Sequence, residues 1–208
     1  MSNPRIAFSL LIMLLLVVTA GCSDDDDNPA APAVEDFAES TAELMLNFRA
    51  AYAEMDDESY VDLLDDRFAF YYTDGLVHDA TLETMIIANM FSGNPPTNAV
   101  PGFNIHGFRA IEVRKFDLVE IWADVSESHP DFGSIAGAMK ALYDVQIVFH
   151  HDDGTLTMSS QQIFYAVSFD VTEGGEVKTC WRLLGQEDIP FKAGNEDMSW
   201  SGIKTLFR

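Results

Sequence analysis

The stretch that decides the fold runs from Ala141 to Gln186: ALYDVQIVFHHDDGTLTMSSQQIFYAVSFDVTEGGEVKTCWRLLGQ. It is rich in β-branched and aromatic residues, alternates in character, and is punctuated by Asp-Asp-Gly and Glu-Gly-Gly. The pattern predicts three long strands: Ala141-Leu-Tyr-Asp-Val-Gln-Ile-Val-Phe-His-His151, Thr155 to Val171, and Glu176 to Gln186. Asp152-Asp153-Gly154 and Thr172-Glu173-Gly174 each suit a three-residue hairpin loop closed by glycine in the left-handed region. Those loops fix a register. Phe169 then faces Val177, Val167 faces Thr179, Tyr165 faces Trp181, Ile163 faces Leu183, and Tyr143 faces Ile163. One face carries Tyr143, Val145, Ile147, Phe149, Ile163, Tyr165, Val167, Phe169, Val177, Thr179, Trp181 and Leu183, and holds no charge. The other carries Leu142, Asp144, Gln146, Val148, Gln162, Phe164, Ala166, Cys180, Arg182 and Leu184. It is too polar for a core and too apolar for plain solvent, which fits a subunit contact or a partly wet pocket. A slip of one residue exchanges the faces, so much rests on this register.

Upstream, Phe37, Thr41, Leu44, Met45, Phe48, Tyr52 and Met55 recur at helical spacing, predicting one amphipathic helix from Val34 to Met55. Glu35, Asp36 and Glu39 suit the positive end of its dipole. Asp57 is expected to cap a second helix from Glu58 to about Asp65. Phe68 to Tyr72 reads as an aromatic strand, Thr73-Asp74-Gly75 as a turn, and Val77-His78 as a brief resumption. Asp79 or Thr81 caps a third helix, Leu82 to Phe91. Ala110 to Asp124 is too long for one regular strand, which predicts a bulge or a turn near Arg114-Lys115. A loop with a short helix near Ile135 to Ala141 is expected before the three strands. Ser199 to Phe207 reads as a capped amphipathic segment with Trp200, Ile203 and Phe207 on one face, docking back on the domain.

The chain has 208 residues and a formal net charge of −22, with 34 acids against 12 Lys and Arg. So acidic a surface repels phosphate backbones and argues against a nucleic-acid partner. Excluding its first 33 residues, the chain is long enough for one domain with a full core. The two cysteines, Cys22 and Cys180, do not make a disulfide framework.

The amino terminus reads as an address. Arg5 precedes an apolar run, Ile6 to Ala20, of signal-peptide length and short for a membrane span. The run ends Val18-Thr19-Ala20-Gly21-Cys22, which resembles the bacterial lipobox, with Thr19 where leucine is usual. The resemblance implies a lipoprotein signal peptide over 1–21 and Cys22 acylated, palmitate-like, as the new amino terminus. Ser23 to Ala33, with four consecutive aspartates and then Pro/Ala, makes 22–33 an extended, solvated tether. Ser23 after the cysteine fits outer-membrane sorting in such lipoproteins. The expected localisation is the bacterial cell envelope, lipid-anchored, at the outer membrane facing the periplasm or the cell surface. Cys180 is then a lone thiol, expected to be buried.

The order of elements resembles the nuclear transport factor two-like superfamily, which includes ketosteroid isomerase and the SnoaL-like polyketide cyclases. Tyr52-Ala-Glu-Met-Asp-Asp-Glu-Ser-Tyr-Val-Asp-Leu-Leu-Asp-Asp-Arg-Phe68, Phe70-Tyr-Tyr-Thr-Asp-Gly75 and Cys180-Trp-Arg-Leu-Leu184 carry the likeness. It covers 34–190 and leaves 191–208 as a loop and short amphipathic helix. The implied fold is α+β: a cone-like curved antiparallel sheet wrapped around amino-terminal helices, in the order α-α-β-α-β-β-β-β. Such cones often hold a pocket and often dimerise through the sheet. The isomerase's catalytic groups do not carry over. Its helical tyrosine corresponds to Phe48 or Arg49, and its aspartate base to Tyr72-Thr73.

Candidate functional residues follow from placement. Tyr52, Tyr72, His78, Tyr165 and Trp181 are candidate pocket residues, against the plain reading of aromatic core. His78 and His106 are lone histidines that suit either a pocket base or a hydrogen-bonded structural role. Asp144, Gln146, Gln162 and Arg182 form a candidate polar patch or interface. His150-His151 point to opposite faces of a strand and so do not converge on one metal. No phosphate loop, nucleophile elbow or dinucleotide fingerprint occurs, and the sequence calls for neither metal nor cofactor. The expected function is non-catalytic: binding a small apolar ligand in the cone, or a protein partner or second copy through the sheet. The alternative is an isomerase, cyclase or hydrolase with a site inside the cone around Tyr72, His78 and Arg182.

Overall fold

The long strands pair as their composition demands, but in a different register. The computed structural model describes residues 37–96, 98, 107–189 and 199–208. The elements are α1 (Thr41–Glu54), α2 (Asp57–Asp62), β1 (Leu64–Tyr71), β2 (Val77–Asp79), α3 (Ala80–Phe91), β3 (Ala110–Asp124), β4 (Ala138–His151), β5 (Gly154–Glu173), β6 (Glu176–Ile189) and α4 (Trp200–Phe207). The strands form one curved, unclosed sheet in the order β2-β1-β6-β5-β4-β3. The β1–β6 pair is parallel and the others are antiparallel. The helices cover one face, the inner face below. This is the expected α+β cone-like arrangement.

The expected hairpin loops are corrected. His151 pairs with Gly154 across a two-residue Asp152-Asp153 turn. Glu173 pairs with Glu176 across Gly174-Gly175, whose φ values are 58° and 91°. Two successive positive φ angles make the turn whose twist matches the strands, and the second glycine makes it accessible. The β4–β5 register shifts by one residue, and the β5–β6 register by three from the turn to Ala166 and by four from Tyr165 onward. Tyr143 therefore faces Gln162 rather than Ile163, and Thr172, not Phe169, faces Val177. The inner face of β5 is Leu156, Met158, Ser160, Gln162, Phe164 and Ala166, not the odd-numbered set.

β6 holds a second device. Ala166 pairs with Leu183 but Tyr165 pairs with Gly185, so one extra residue bulges opposite them. Before the bulge, the odd residues Trp181 and Leu183 face inward. After it, the even residues Gln186 and Asp188 do. Gly185 lies on the outer side, where an added Cβ would stand 2.6 Å from Phe132 and 2.8 Å from the Ala69 carbonyl. β3 shifts register between Val113 and Lys115, where a bulge or a turn was expected, and twice more further on.

Helix starts follow local chemistry. α1 begins at Thr41, not Val34, because Ser40 caps it by accepting from the Glu43 amide, while Ala38 is bridged to Trp181. Asp56, not Asp57, caps α2, and Asp79 caps α3. The segment before Ala138 forms turns rather than a helix, and β4 has already begun at Ala138. α1 lays Met45, Phe48 and Tyr52 on the sheet, where Phe48 meets Phe116, Phe164 and Tyr60. Cys180 is buried and unpaired, and burial pushes its thiol up.

Candidate functional site

α3 carries Glu83, Ile86, Ile87 and Met90 on one buried stripe. α4 carries Trp200, Ile203, Lys204 and Phe207 on another, with Ser199 capping it. Each stripe holds one charge among apolar residues, and the two charges meet. Lys204 Nζ donates to Glu83 Oε1 at 2.5 Å, both side chains are 0% exposed, and the ammonium lies 3.7 Å above the Phe70 ring. Tyr60 of α2 donates to the same oxygen at 2.6 Å. The other carboxylate oxygen is 2.6 Å from His78 Nε2, and His78 Nδ1 is 2.9 Å from the Tyr72 hydroxyl. Glu83 thus gathers three donors, from α2, β2 and α4.

The protonation states follow. Burial alone raises the Glu83 carboxyl. The Lys204 charge and the His78 hydrogen bond reverse this and hold it at about 2. Burial lowers the Lys204 ammonium, and Glu83 limits the fall to about 8. Burial also lowers His78, helped by the Lys204 charge, against the pull of Glu83. At neutral pH the ion pair is charged and His78 is neutral. Nε2–H then donates to Glu83, and Nδ1 accepts from Tyr72. Burial and the Glu83 charge push Tyr60 well up, so it remains a donor. No group in the cluster is a free base at neutral pH.

A second polar chain follows from the β6 bulge. Gln186 Nε2 donates to Gln162 Oε1 at 3.0 Å. Gln162 Nε2 donates to Ser160 Oγ at 2.6 Å and to Asp188 Oδ1 at 2.7 Å. Asp188 Oδ2 accepts the Ser201 amide at 2.8 Å, in the first turn of α4. The sheet therefore grips α4 through Asp188, while α3 grips it through Glu83. Trp200 packs against Tyr52 and Phe149, and Phe207 against Phe108. Where Phe48, Ile147, Met158, Phe164 and Trp200 converge, the remaining gap has no room for a water molecule.

The sequence-derived candidates divide among several places. Tyr52, Tyr72 and His78 lie inside, around the Glu83 cluster. Tyr165 lies on the outer face, packed on Phe132 and donating to Glu187 at 2.8 Å. Trp181 lies on the inner side, in a separate cluster with Leu44 and Ala166. The expectation that Tyr165 and Trp181 share a face is overturned by the register. The polar patch separates too: Gln162 is inside, whereas Asp144, Gln146 and Arg182 are outside. Asp144 pairs with Lys115 at 2.5 Å and Gln146 with Ser159 at 3.1 Å. The Arg182 guanidinium lies over Phe37 and Phe169. Across Val167, Arg182 is level with Ala138, six residues along β4 from Asp144. That is about 20 Å, too far for the two to clamp one ligand. His150 is 3.6 Å from Glu112. Cys22, the run before it and His106 lie outside the described residues.

Glu83, Lys204, Tyr60, Gln186 and Asp188 were not among the candidates. A signal existed for two of them: an acid and a base each stand at core positions of an apolar helical stripe. Gln186 and Asp188 are inside only because of the bulge.

The fold and site define a cone-type α+β domain whose interior is closed by its own last helix. Neither a sequence-family model nor a curated protein matches the chain. Among solved structures it is similar to an NTF2-like (nuclear transport factor two-like) protein of Rhodospirillum rubrum, at 13% identity over 72% of this chain and 96% of that one, with a TM-score of 0.45. It is similar to an NTF2-like protein of Cytophaga hutchinsonii, at 13% over 72% and 94%, with a TM-score of 0.44. It is also similar to the CaMKII hub of S. rosetta, at 15% over 77% and 98%, with a TM-score of 0.44.

Proposed function

We propose that this chain is a membrane-tethered lipoprotein of the bacterial cell envelope whose nuclear transport factor two-like domain binds partners without catalysis. In this reading Cys22 carries the lipid, residues 22–33 form the tether, and the outer face of the sheet is the contact surface. One observation carries the non-catalytic reading: α4 fills the cone, and the Glu83 carboxylate is committed to Lys204, Tyr60 and His78. An enzyme needs a titratable group in reach of substrate, and here each such interior group is covered. The outer face supports the second half. Ile121 is 79% exposed, with Val119 nearby, and a hollow of about 190 Å³ is lined by Ile121, Leu142, Ile163 and Ile189, together with Glu120 and Lys140.

Sedimentation equilibrium of the soluble domain over a wide concentration range tests the surface, with a second copy as the first partner examined. Self-association that disappears in Ile121→Asp supports the reading. A monomer at every concentration that also captures no envelope protein through this face removes it. For the tether, Cys22→Ala releases the protein from the membrane fraction; full retention of the variant refutes lipid anchoring. A second reading, an isomerase, cyclase or hydrolase with its site inside the cone, is favoured by one observation, the His78–Glu83 contact flanked by Tyr60 and Tyr72. It requires α4 to leave.

A further inference from the structure

We propose that the second half of β3, residues 116–124, is a docking edge to which a basic partner protein adds an extended segment as a further strand. The inference goes beyond the outer contact face: it concerns the free edge of the sheet and names the chemistry that edge takes. β3 ends the sheet, and among the described residues no strand pairs with its far side. Its first half is covered. Ile111 and Val113 are buried, and the Arg49 guanidinium donates from α1 to the Val113 carbonyl at 3.5 Å. Its second half is open. A strand with one buried face alternates, but Asp117, Leu118, Val119, Glu120 and Ile121 are exposed in succession. An uncovered edge that carries apolar side chains is a template for strand addition.

Charge selects the strand. The bases of the first half are spent nearby: Arg109 on Asp152, Arg114 on Glu112 and Lys115 on Asp144. Residues 116–124 hold three acids and no base. Asp117 stands opposite Asp144, two acids that share Lys115. Glu120 and Asp124 form no salt bridge among the described residues. The register shift between Leu118 and Glu120 sets Asp117 opposite Asp144 and Glu120 opposite Leu142, so the two acids share one face two positions apart. Like charges across strands repel, and bases at alternate positions of an added strand relieve them. Leu118, opposite Tyr143, is on the other face and meets the apolar residues between those bases. A second copy of the same stretch supplies only acids, and antiparallel pairing about Glu120 sets that side chain against itself. The complement is therefore a strand that alternates basic and apolar residues.

The test is a titration of a dye-labelled peptide alternating lysine and valine with the full chain in non-ionic detergent, read by fluorescence anisotropy. One control peptide has the same composition with its lysines and valines in separate blocks. The other alternates glutamate and valine. The alternating lysine peptide should bind saturably, about tenfold tighter than either control, and should slow amide hydrogen exchange in residues 116–124. Asp117→Lys combined with Glu120→Lys, both at exposed positions, should turn the preference toward the glutamate peptide. Equal affinity for the alternating and block lysine peptides, protection that falls elsewhere, or a preference unchanged in the double variant overturns the inference, as does no binding at all.

Discussion

On the inner face of β5 and β6, Ser160, Gln162, Gln186 and Asp188 are buried and bonded into one chain that ends on the amide of Ser201. On the outer face of the same strands, Gln161, Ile163, Glu187 and Ile189 are only partly covered, and Ile121 stands open beside them. Several polar residues are thus fully enclosed, while isoleucines are left in reach of solvent. Polarity is tolerable inside because nearly every group there has a partner and α4 seals the rest. Apolar exposure outside marks the surface with something left to bury. Residue type alone does not identify the contact surface; satisfaction of each group does.

The largest effect should come from breaking the inner side at Glu83. Glu83→Ala removes the carboxylate bonded to the buried Lys204 ammonium and should cost about 3–5 kcal/mol in urea unfolding. Lys204→Met should cost less, because Tyr60 and His78 still donate to Glu83. Replacing both with apolar residues should recover much of the loss, since a buried pair can be exchanged for packing more safely than it can be halved. Additive losses would show that the pair does not act as a unit.

Acid sharpens the same contrast. The Glu83 carboxyl sits at about 2 when folded against 4.5 when free, so the unfolded chain binds the proton first as pH falls. Its stabilisation is complete above about 4.5 and is lost between there and about 2, on the order of 3 kcal/mol. His78 is also lowered from 6.5, so the folded state resists its protonation and loses stability as pH drops below that value. Relief of the chain's negative self-repulsion opposes both. The informative quantity is therefore the difference between the unsubstituted protein and Glu83→Gln, whose acid limb should be shallower; parallel limbs would remove Glu83 from the account.

Gly185→Ala tests the bulge from the outer side. Its Cβ would collide with Phe132 and the Ala69 carbonyl, so a loss of about 1–3 kcal/mol is expected by thermal unfolding. The smallest stability effect belongs to the outer face. Ile121→Asp should change stability by no more than about 0.5 kcal/mol while weakening any association through the sheet. A large destabilisation would mean that Ile121 supports the fold rather than a contact.

Much of this was legible in the sequence, for identifiable reasons. The stripes of α1, α3 and α4, the Asp79 and Ser199 caps, and the bulge near Arg114-Lys115 are local signals, and the structure keeps them. The register of β5 was not legible because both parities of the strand are apolar. Phe164 and Ala166 pack inward while Tyr165 and Val167 pack outward, so alternation does not choose between them. Glu-Gly-Gly then admits both a three-residue loop and the two-residue turn that forms. The bulge at Leu183-Leu184 is likewise hidden, since both leucines are buried, one on each side. The Glu83–Lys204 pair was half legible: each charge breaks an apolar helical stripe, but 121 residues separate them, and only the fold brings them together.

α4 is part of the core that closes the cone, and amide hydrogen exchange measures that directly. The Ser201 amide donates to buried Asp188, so it and its neighbours through Phe207 should exchange only with global unfolding, at the protection of central β5 amides. Exchange of α4 at the rate of a frayed terminus, with β5 still protected, would contradict a sealed interior.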